Sequence, residues 1–398
     1  MRFVIVGAGL AGHTAAVHLR ELAPQAKIDI LGDELGLPYD RPPLSKEVLG
    51  EGAPRYLANA ETYHENGISY HPGQTATQID RNRSEILTAC GNAYAYDRLL
   101  LATGSRARKL PDSVGQSSKI LYLRTLEDAV GLRSVLRESR RIAVIGGGFI
   151  GLEVAAAARA MACEVFLFEM MDRILSRGMP VILSRWAEKL HRLNGVQFEF
   201  GSRIDSIRHQ DDGSLRLRWN ASFANADAVV VGVGVQPNTQ LASDAGLDVD
   251  DGIVVDDRCQ TSDPAIFAAG EVTSHPVSGG AFRQRLESWK VASGQSLVAA
   301  KSMAGIDSRY AEPPWLWSDQ FGHNIQSLGV LRNTDRSVVL DDPETNNWTA
   351  IFLDSHDKIA GAIAVNNGRD ISMLKRAMLQ DGIIPEKLLS RAARYRSR

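Results

Sequence analysis

Residues 141–169 read RIAVIGGGFIGLEVAAAARAMACEVFLFE. A short apolar run leads into Gly146, Gly148 and Gly151, spaced as G-x-G-x-x-G, and an alanine-rich stretch, a second apolar run and Glu169 follow. Strand, tight glycine turn, helix, strand and acid in this order are typical of a dinucleotide-binding βαβ unit. The first glycine permits the turn, the second lets a pyrophosphate approach the backbone, and the third lets the helix pack closely on the strand. Glycine turns also close ordinary βα units, but the complete order favours dinucleotide binding.

Glu169 indicates which nicotinamide coenzyme the unit prefers. It stands near the position, roughly 20 residues beyond the glycines, where this motif places an acceptor for the ribose 2′-hydroxyl. A carboxylate there would repel a 2′-phosphate, so the sequence favours NAD over NADP.

The same pattern occurs a second time near residue 1. An apolar run leads into Gly7, Gly9 and Gly12, and a helical stretch and another strand then end at the acids Asp33 and Glu34. Two dinucleotide sites in one chain are most simply explained by a flavin that stays bound and a nicotinamide that comes and goes. We therefore predict FAD and NAD as cofactors.

Composition narrows the class of protein. A net charge of −2 over 398 residues gives no reason to expect nucleic acid or a membrane surface as partner, and no apolar run approaches the ~20 residues of a membrane helix. The first strand begins at residue 3, which leaves no room for a signal peptide, and three scattered cysteines without a CxxC suit a reducing cytoplasm. The same inventory excludes a dithiol reductase, and we expect no metal site.

Thr125 and Asp128 predict a capping box at the start of a helix. Arg124 just before it could be structural or could reach a cofactor.

Several other positions are open to interpretation. Pro43 can open a helix that carries Leu44–Leu49, and Lys46 near its start is most simply a surface lysine. Glu271 ends a strand, where it could bond a polyol hydroxyl or stay solvated. Ser288 can cap a helix whose free N–H groups could stabilise negative charge on a reduced ring. Trp315 and Trp317 flank Leu316 and belong by default to a core, with a stacking surface as the alternative.

The fold prediction is α/β. We expect two Rossmann-like dinucleotide-binding domains and a C-terminal α+β domain. The predicted bounds are 1–111 with 239–314 for a discontinuous FAD-binding domain, 112–238 for an NAD-binding domain, and 315–398 for the C-terminal domain.

Several segments together resemble the NADH-dependent, FAD-containing ferredoxin reductases of bacterial oxygenase systems, which have a glutathione-reductase-like fold. The resemblance covers essentially the whole chain. The segments that carry it are LPYDRPPLSK at 37–46, YLRTLEDA at 122–129, GGGFIGLEVAA at 146–156, TSDPAIFAAGE at 261–271, ESW at 287–289 and WLWSDQ at 315–320.

The resemblance implies a role for each matching residue. Those implied to hold FAD are Gly7, Gly9, Ala11, Gly12, Asp33, Lys46, Ala76, Arg124, Glu271 and Trp289. Those implied to bind NAD are Gly146, Gly148, Gly151, Glu169 and Gly234. Trp317 would lie near the flavin on the side that faces the ferredoxin. Lys46 would pair with Glu153 beside flavin N5 and favour electron density arriving on the flavin, so both are implied to be catalytic.

One departure from the family pattern is visible. Where the family has Gly-Asp before the flavin ribityl chain, this sequence has Gly270-Glu271.

The implied activity is NADH:ferredoxin oxidoreduction. A hydride passes from NADH to FAD N5, and single electrons pass to a two-iron ferredoxin that supplies a terminal oxygenase. Alternatives on the same fold are a flavoprotein NADH oxidase or peroxidase, and a flavoprotein similar to apoptosis-inducing factors that acts mainly by binding. An acidic ferredoxin could be attracted by basic residues near the C-terminus, namely Arg332, Arg336, Lys375, Arg376, Arg391, Arg394, Arg396 and Arg398. The arginines of the tail, from Arg391 onward, are expected to be solvated.

Overall fold

The structure, a computed structural model, describes residues 1–277, 282–331 and 336–395, with side chains to residue 392. Its helices are α1 (Leu10–Leu22), α2 (Ala60–Glu65), α3 (Leu126–Glu138), α4 (Phe149–Ala160), α5 (Val181–Leu193), α6 (Gln240–Asp244), α7 (Trp289–Met303), α8 (Gly368–Gln380) and α9 (Glu386–Tyr395). A short 3-10 helix spans Pro42–Ser45.

The strands to residue 122 are β1 (Arg2–Val6), β2 (Lys27–Leu31), β3 (Ile68–His71), β4 (Ala76–Asp80), β5 (Glu85–Thr88), β6 (Ala93–Ala95), β7 (Arg98–Leu101), β8 (Ser105–Ala107) and β9 (Ile120–Tyr122). Those of the middle of the chain are β10 (Arg141–Ile145), β11 (Glu164–Glu169), β12 (Val196–Phe200), β13 (Ser206–His209), β14 (Leu215–Trp219), β15 (Ser222–Ala226), β16 (Ala228–Val231) and β17 (Val235–Pro237). The remaining strands are β18 (Ile253–Val254), β19 (Ile266–Ala268), β20 (Thr273–Pro276), β21 (Arg283–Gln284), β22 (Trp315–Gln320), β23 (His323–Gly329), β24 (Arg336–Leu340), β25 (Trp348–Leu353) and β26 (Ile359–Val365).

Packing divides the chain into two units. The first holds residues 1–40, 54–106 and 236–314, and the second holds 41–53, 107–235 and 315–398. The predicted C-terminal segment and all but the last three residues of the predicted NAD-binding segment fall in the second unit, and the three-domain bounds stay a prediction.

The first unit is built on a parallel sheet with the order β19-β7-β1-β2-β3. Alternate side chains of the central strand β1 enter different cores. Phe3 and Ile5 pack with α1 and α7, whereas Val4 and Val6 pack in the core that includes Ile79 and Ile86 of the antiparallel sheet β4-β5-β6. Because both faces of the sheet are covered, β1 reads as a nearly continuous apolar run.

The second unit holds a parallel sheet with the order β12-β11-β10-β16-β9. A three-stranded antiparallel sheet, β13-β14-β15, shares an apolar core with this parallel sheet. A further antiparallel sheet, β22-β23-β26-β25-β24, carries α8 and α9 on an apolar core. The predicted α/β class is confirmed: each glycine turn leaves the central strand of its own parallel sheet, and an α+β part follows.

Two local predictions are wrong. The helix predicted over Leu44–Leu49 is a 3-10 turn that ends at Ser45, because Lys46 leaves helical backbone angles (φ −125, ψ −102) and separate turns follow it. The arginine tail is not uniformly solvated either. Arg391 on α9 donates to Asp370 of α8 at 2.8 and 2.9 Å and also pairs with Asp341 just beyond β24, so it connects the last helix to α8 and to the end of β24.

No helix among the described residues has both the length and the apolar character needed to span a membrane.

Candidate functional site

The first glycine turn forms a cradle at the end of β1. Gly7 has φ +107, and a Cβ there would lie 2.1 Å from the carbonyl oxygen of Ala102. A Cβ on Gly12 would lie 1.9 Å from the Gly7 carbonyl oxygen, so helix and turn touch backbone to backbone. Gly9 differs, because nothing lies within 4 Å of its added Cβ. The turn is therefore closed behind Gly7 and Gly12 and open at Gly9.

Helix α1 begins at that opening. Its N-cap is Gly9, which offers no side-chain cap, and its first turn holds no acid. The first N–H groups of a helix need partners from outside it and attract anions. Ala11 is buried in the first turn of the helix. The cradle and the helix start together fit a pyrophosphate.

Other residues implied to hold FAD lie in the first unit at the ends of its elements. Asp33 is exposed after β2, and Ala76 begins β4. Gly270, with φ +90, precedes Glu271, and its N–H donates to Gln295 Oε1 at 2.8 Å. Gln295 is fully buried, so it anchors the turn that presents Glu271.

Trp289 starts α7, which is capped by Ser288 as predicted. The indole Nε1 donates to Asp40 Oδ1 at 2.9 Å, and Asp40 is buried. Sequence reasoning did not single out Asp40, although it stands inside the quoted segment LPYDRPPLSK. The buried carboxylate fixes the orientation of the indole.

The second glycine turn repeats the cradle in the second unit. A Cβ on Gly146 would lie 2.4 Å from the Gly232 carbonyl oxygen, and one on Gly151 would lie 2.0 Å from the Gly146 carbonyl oxygen. Gly148 is open, caps α4 without a side chain, and is followed by a first turn free of acids. This second cradle therefore fits a second pyrophosphate.

Glu169 reaches back to the same turn. Its Oε2 accepts from the N–H of Gly147 at 2.7 Å, and its Oε1 accepts from the N–H of Met171 at 2.8 Å. Gly234, at the exit from β16, has φ +99, and its added Cβ would lie 3.1 Å from Arg177 Nη1. The carboxylate that was predicted to select NAD is thus held beside the open cradle by two backbone donors.

The structure brings Lys46 and Glu153 together inside the second unit. Lys46 Nζ lies 2.9 Å from Glu153 Oε2, and the two side chains are 14% and 3% exposed. Ser45 Oγ also donates to Glu153 Oε2, and Ser318 Oγ donates to Oε1 at 2.5 Å. Lys46 is therefore not a surface lysine. The sequence analysis did not assign a role to Ser45 or Ser318, although they lie in the segments LPYDRPPLSK and WLWSDQ.

Arg124 and Trp317 lie in the second unit. The Arg124 carbonyl accepts from Arg41 Nη1 at 2.7 Å, just before the predicted capping box of α3, which is confirmed by both of its hydrogen bonds. Trp317 stacks on Trp315 with ring centroids 5.2 Å apart and planes at 23°. Neither ring is fully buried, but Trp315 packs against the apolar core of its sheet, so the default expectation of a core is confirmed in part for Trp315. Residues two apart on a strand share a face, and the rings therefore stack.

The described residues contain three free cysteines and no cluster of metal ligands. Cys163 and Cys259 are buried, and burial raises the pKa of both thiols. Cys90 is exposed after β5, and none of the three belongs to the Lys46–Glu153 cluster. The described residues hold no group of three or more His, Cys, Asp or Glu that could hold a metal ion.

The basic residues predicted to attract a ferredoxin are only partly described. Arg336 on β24 pairs with Asp357, and Lys375 and Arg376 lie on α8. Arg332, Arg396, Arg398 and the side chain of Arg394 lie outside the described residues.

Comparison with known proteins gives two family matches. Residues 1–296 match the pyridine nucleotide-disulphide oxidoreductase family, and residues 315–393 match the reductase C-terminal family.

Individual relatives span nearly the whole chain. The ferredoxin–NAD(+) reductase component of the anthranilate 1,2-dioxygenase system of Burkholderia cepacia is 42% identical over 389 residues, which cover 96% of this chain and 95% of the relative. Putidaredoxin reductase, solved as a covalent complex with putidaredoxin, has a TM-score of 0.93 at 34% identity, covering 98% of this chain and 95% of that one. The ferredoxin reductase of the CYP199A2 system of Rhodopseudomonas palustris has a TM-score of 0.92 at 33% identity, covering 97% and 96%.

Proposed function

The chain belongs to the pyridine nucleotide-disulphide oxidoreductase family, and we propose that it is an FAD-dependent ferredoxin–NAD(+) reductase. It takes a hydride from NADH and passes single electrons to a two-iron ferredoxin that supplies a terminal oxygenase. The predicted activity, cofactors and partner agree with the relatives described above.

One observation carries the proposal. Each unit has a glycine cradle, closed behind its first and third glycines and open at the second, at the start of a helix without a side-chain cap. One chain can therefore hold two dinucleotides, as an enzyme needs when it moves electrons from a nicotinamide to a flavin.

The residues present fit FAD in the first unit. Gly7, Gly9, Ala11 and Gly12 would hold the pyrophosphate, and Asp33, Ala76, Glu271 and Trp289 would hold the remainder. The family resemblance also implies that Arg124 and Lys46 contact FAD. When bound, FAD accepts a hydride and releases its two electrons one at a time. The protein supplies position and electrostatics for that chemistry.

The second cradle would bind NADH through Gly146, Gly148, Gly151 and Gly234. Its selectivity rests on Glu169, whose carboxylate is fixed by two backbone donors and would accept from a ribose 2′-hydroxyl. A fixed carboxylate disfavours a 2′-phosphate more strongly than a mobile one, because it cannot move away from the added charge.

Lys46 and Glu153 are proposed as the catalytic pair. The Lys46 ammonium donates to Glu153 and to the carbonyl of Pro42 at 3.3 Å, so its side chain is held in one orientation. A buried, oriented cation stabilises negative charge that develops beside it far better than one in water does. Trp317 would lie on the side that receives the ferredoxin.

We also propose a cytoplasmic location, since three unpaired cysteines suit a reducing compartment.

The test uses the purified protein, NADH and a two-iron ferredoxin under anaerobic conditions. We expect a yellow protein that reduces two ferredoxins for each NADH consumed, measured by bleaching of the ferredoxin. A ferredoxin that stays oxidised in the anaerobic run, with NADH consumed once air is admitted as the electron acceptor, would favour an oxidase. Slow reduction with a long-lived charge-transfer band would favour a binding protein. A colourless protein that gains no chromophore from added FAD would overturn both the cofactor and the activity.

A further inference from the structure

A row of buried polar side chains continues from Glu153 away from Lys46. Ser318 Oγ donates to Glu153 Oε1 at 2.5 Å, Gln320 Nε2 donates to Ser318 Oγ at 2.9 Å, and Gln320 Oε1 lies 2.9 Å from His191 Nε2. Ser318 and His191 are 0% exposed and Gln320 is 1% exposed. The row joins α4, β22 and α5, all within the second unit.

The direction of these hydrogen bonds follows from the ion pair at one end. A carboxylate can only accept hydrogen bonds, so the Ser318 hydroxyl must donate to Glu153 and is left to accept. Gln320 must then turn its amide N–H₂ toward Ser318 and its oxygen toward His191. His191 therefore carries a proton on Nε2, and every donor in the row points toward Glu153.

The other end of the row is closed to water. The His191 ring meets Phe321 edge-on at 4.9 Å and Phe198 at 6.2 Å, and among the described residues its Nδ1 has no hydrogen-bond partner. Burial lowers the pKa of His191 to about 4, although the bond to Gln320 opposes this shift. The imidazole is therefore neutral near pH 7 and has no proton exit, so the row orients groups and does not carry protons.

We propose that Ser318, Gln320 and His191 are positioning residues, which hold the Glu153 carboxylate in one orientation and through it the Lys46 ammonium. This inference rests on the proposed reductase function, because it assigns the row a role in the step that Lys46 and Glu153 serve. It also gives strand β22, which carries Ser318 and Gln320, a direct part in positioning the reactive pair. Hydrogen bonds that point one way along a chain polarise and strengthen one another, which suits this role.

The first test reads the imidazole itself and needs no turnover. The ¹⁵N chemical shifts of His191 in the FAD-loaded protein, assigned by difference from His191→Gln, report which ring nitrogen carries the proton. We expect the neutral Nε2–H form at pH 7. An Nδ1–H form would leave no donor on Nε2 for Gln320 Oε1, so the inferred direction of the hydrogen bonds, and with it the proposal, would be wrong.

The second test compares variants by stopped-flow reduction of the bound flavin with NADH. Ser318→Ala and Gln320→Leu each break the row, and we expect the rate at saturating NADH to fall about tenfold while the half-saturating NADH concentration stays unchanged. Ser327→Ala, a buried serine of the neighbouring strand β23, is the matched control and should keep the wild-type rate.

A pair of histidine variants separates positioning from packing. His191→Gln retains an N–H donor for Gln320 and should keep the rate close to wild type, whereas His191→Leu removes the donor and should lower it. Equal rates in Ser318→Ala and Ser327→Ala, or in the two histidine variants, would overturn the proposal. A wild-type protein that reduces flavin normally but never a ferredoxin would instead count against the proposed function, and the imidazole measurement would still stand.

Discussion

Lys46 illustrates what a single residue's sequence context leaves out. Most lysines are exposed, and a position near the start of a helix does not indicate burial or a catalytic role. In the structure its side chain is only 14% exposed and pairs with Glu153, and Ser45 beside it lies 108 residues from that glutamate along the chain. Local pattern carries no information on a contact at that separation, so only the family resemblance predicted the pair. For the same reason the sequence did not indicate a role for His191. It is one of nine histidines, and its hydrogen-bond partner Gln320 lies 129 positions away.

Replacing Lys46 by methionine keeps the length of the side chain and removes its charge. We expect flavin reduction by NADH to slow by about tenfold, because a hydrogen bond and a buried cation are lost together. Stopped-flow absorbance of the flavin measures this rate. Lys189→Met is the control, since Lys189 is 53% exposed and pairs with exposed Glu344. If both variants reduce flavin at the same rate, Lys46 has no catalytic role.

Glu169→Arg tests coenzyme choice at one carboxylate. The change removes the acceptor for the ribose and adds a cation that suits a 2′-phosphate, so kcat/KM for NADPH relative to NADH should rise by about tenfold or more. The KM for NADH should rise as well, since the N–H groups of Gly147 and Met171 lose their partner. Glu199→Arg, an exposed acid on the adjacent strand β12, makes the same change in charge. A matching shift in that variant would mean that general electrostatics, not Glu169, sets the preference.

Secondary-structure elements were easier to predict from the sequence than tertiary contacts. The glycine turns, their strands and the Thr125–Asp128 capping box depend on neighbours within a few residues, and the structure has each of them. The helix predicted after Pro43 failed because the segment follows its tertiary contacts: Leu44, Val48 and Leu49 are buried and Lys46 turns toward Glu153. Propensity is a weak guide where packing decides.

Gly151 and Gly131 make a matched pair of helix glycines. A Cβ on Gly151 would lie 2.0 Å from the Gly146 carbonyl oxygen, so Gly151→Ala should lower the free energy of unfolding by about 2 kcal/mol and weaken NADH binding. Nothing lies within 4 Å of a Cβ on Gly131 in α3, so Gly131→Ala should raise that free energy by about 0.5–1 kcal/mol. Urea unfolding measures both. Equal effects of the two changes would contradict close backbone packing at the second cradle.

The whole molecule should lose stability in mild acid. Burial lowers the pKa of His191 in the second unit and of His275 in the first to about 4, below the ordinary value of 6.5. The unfolded chain then binds more protons than the folded one between these values. Stability is therefore full above pH 6.5 and falls as the pH drops toward 4.

Urea midpoints at pH 7 and pH 5 measure this loss. His191→Gln removes one titrating group and should make the loss smaller. A wild-type midpoint that is the same at both pH values would show that these imidazoles are protonated in the folded protein.

The second unit is built from separate segments of the chain, and this affects how the protein folds during its synthesis. Residues 41–53 belong to it, yet they are translated between two parts of the first unit, and β19 and α7 of the first unit are translated after most of the second. On the ribosome, Leu44, Val48 and Leu49 must therefore wait for partners that emerge much later. Neither unit is one continuous stretch of sequence, so neither can finish folding until late in translation. Until then the nascent chain exposes apolar side chains, which are the kind of surface that a chaperone would recognise.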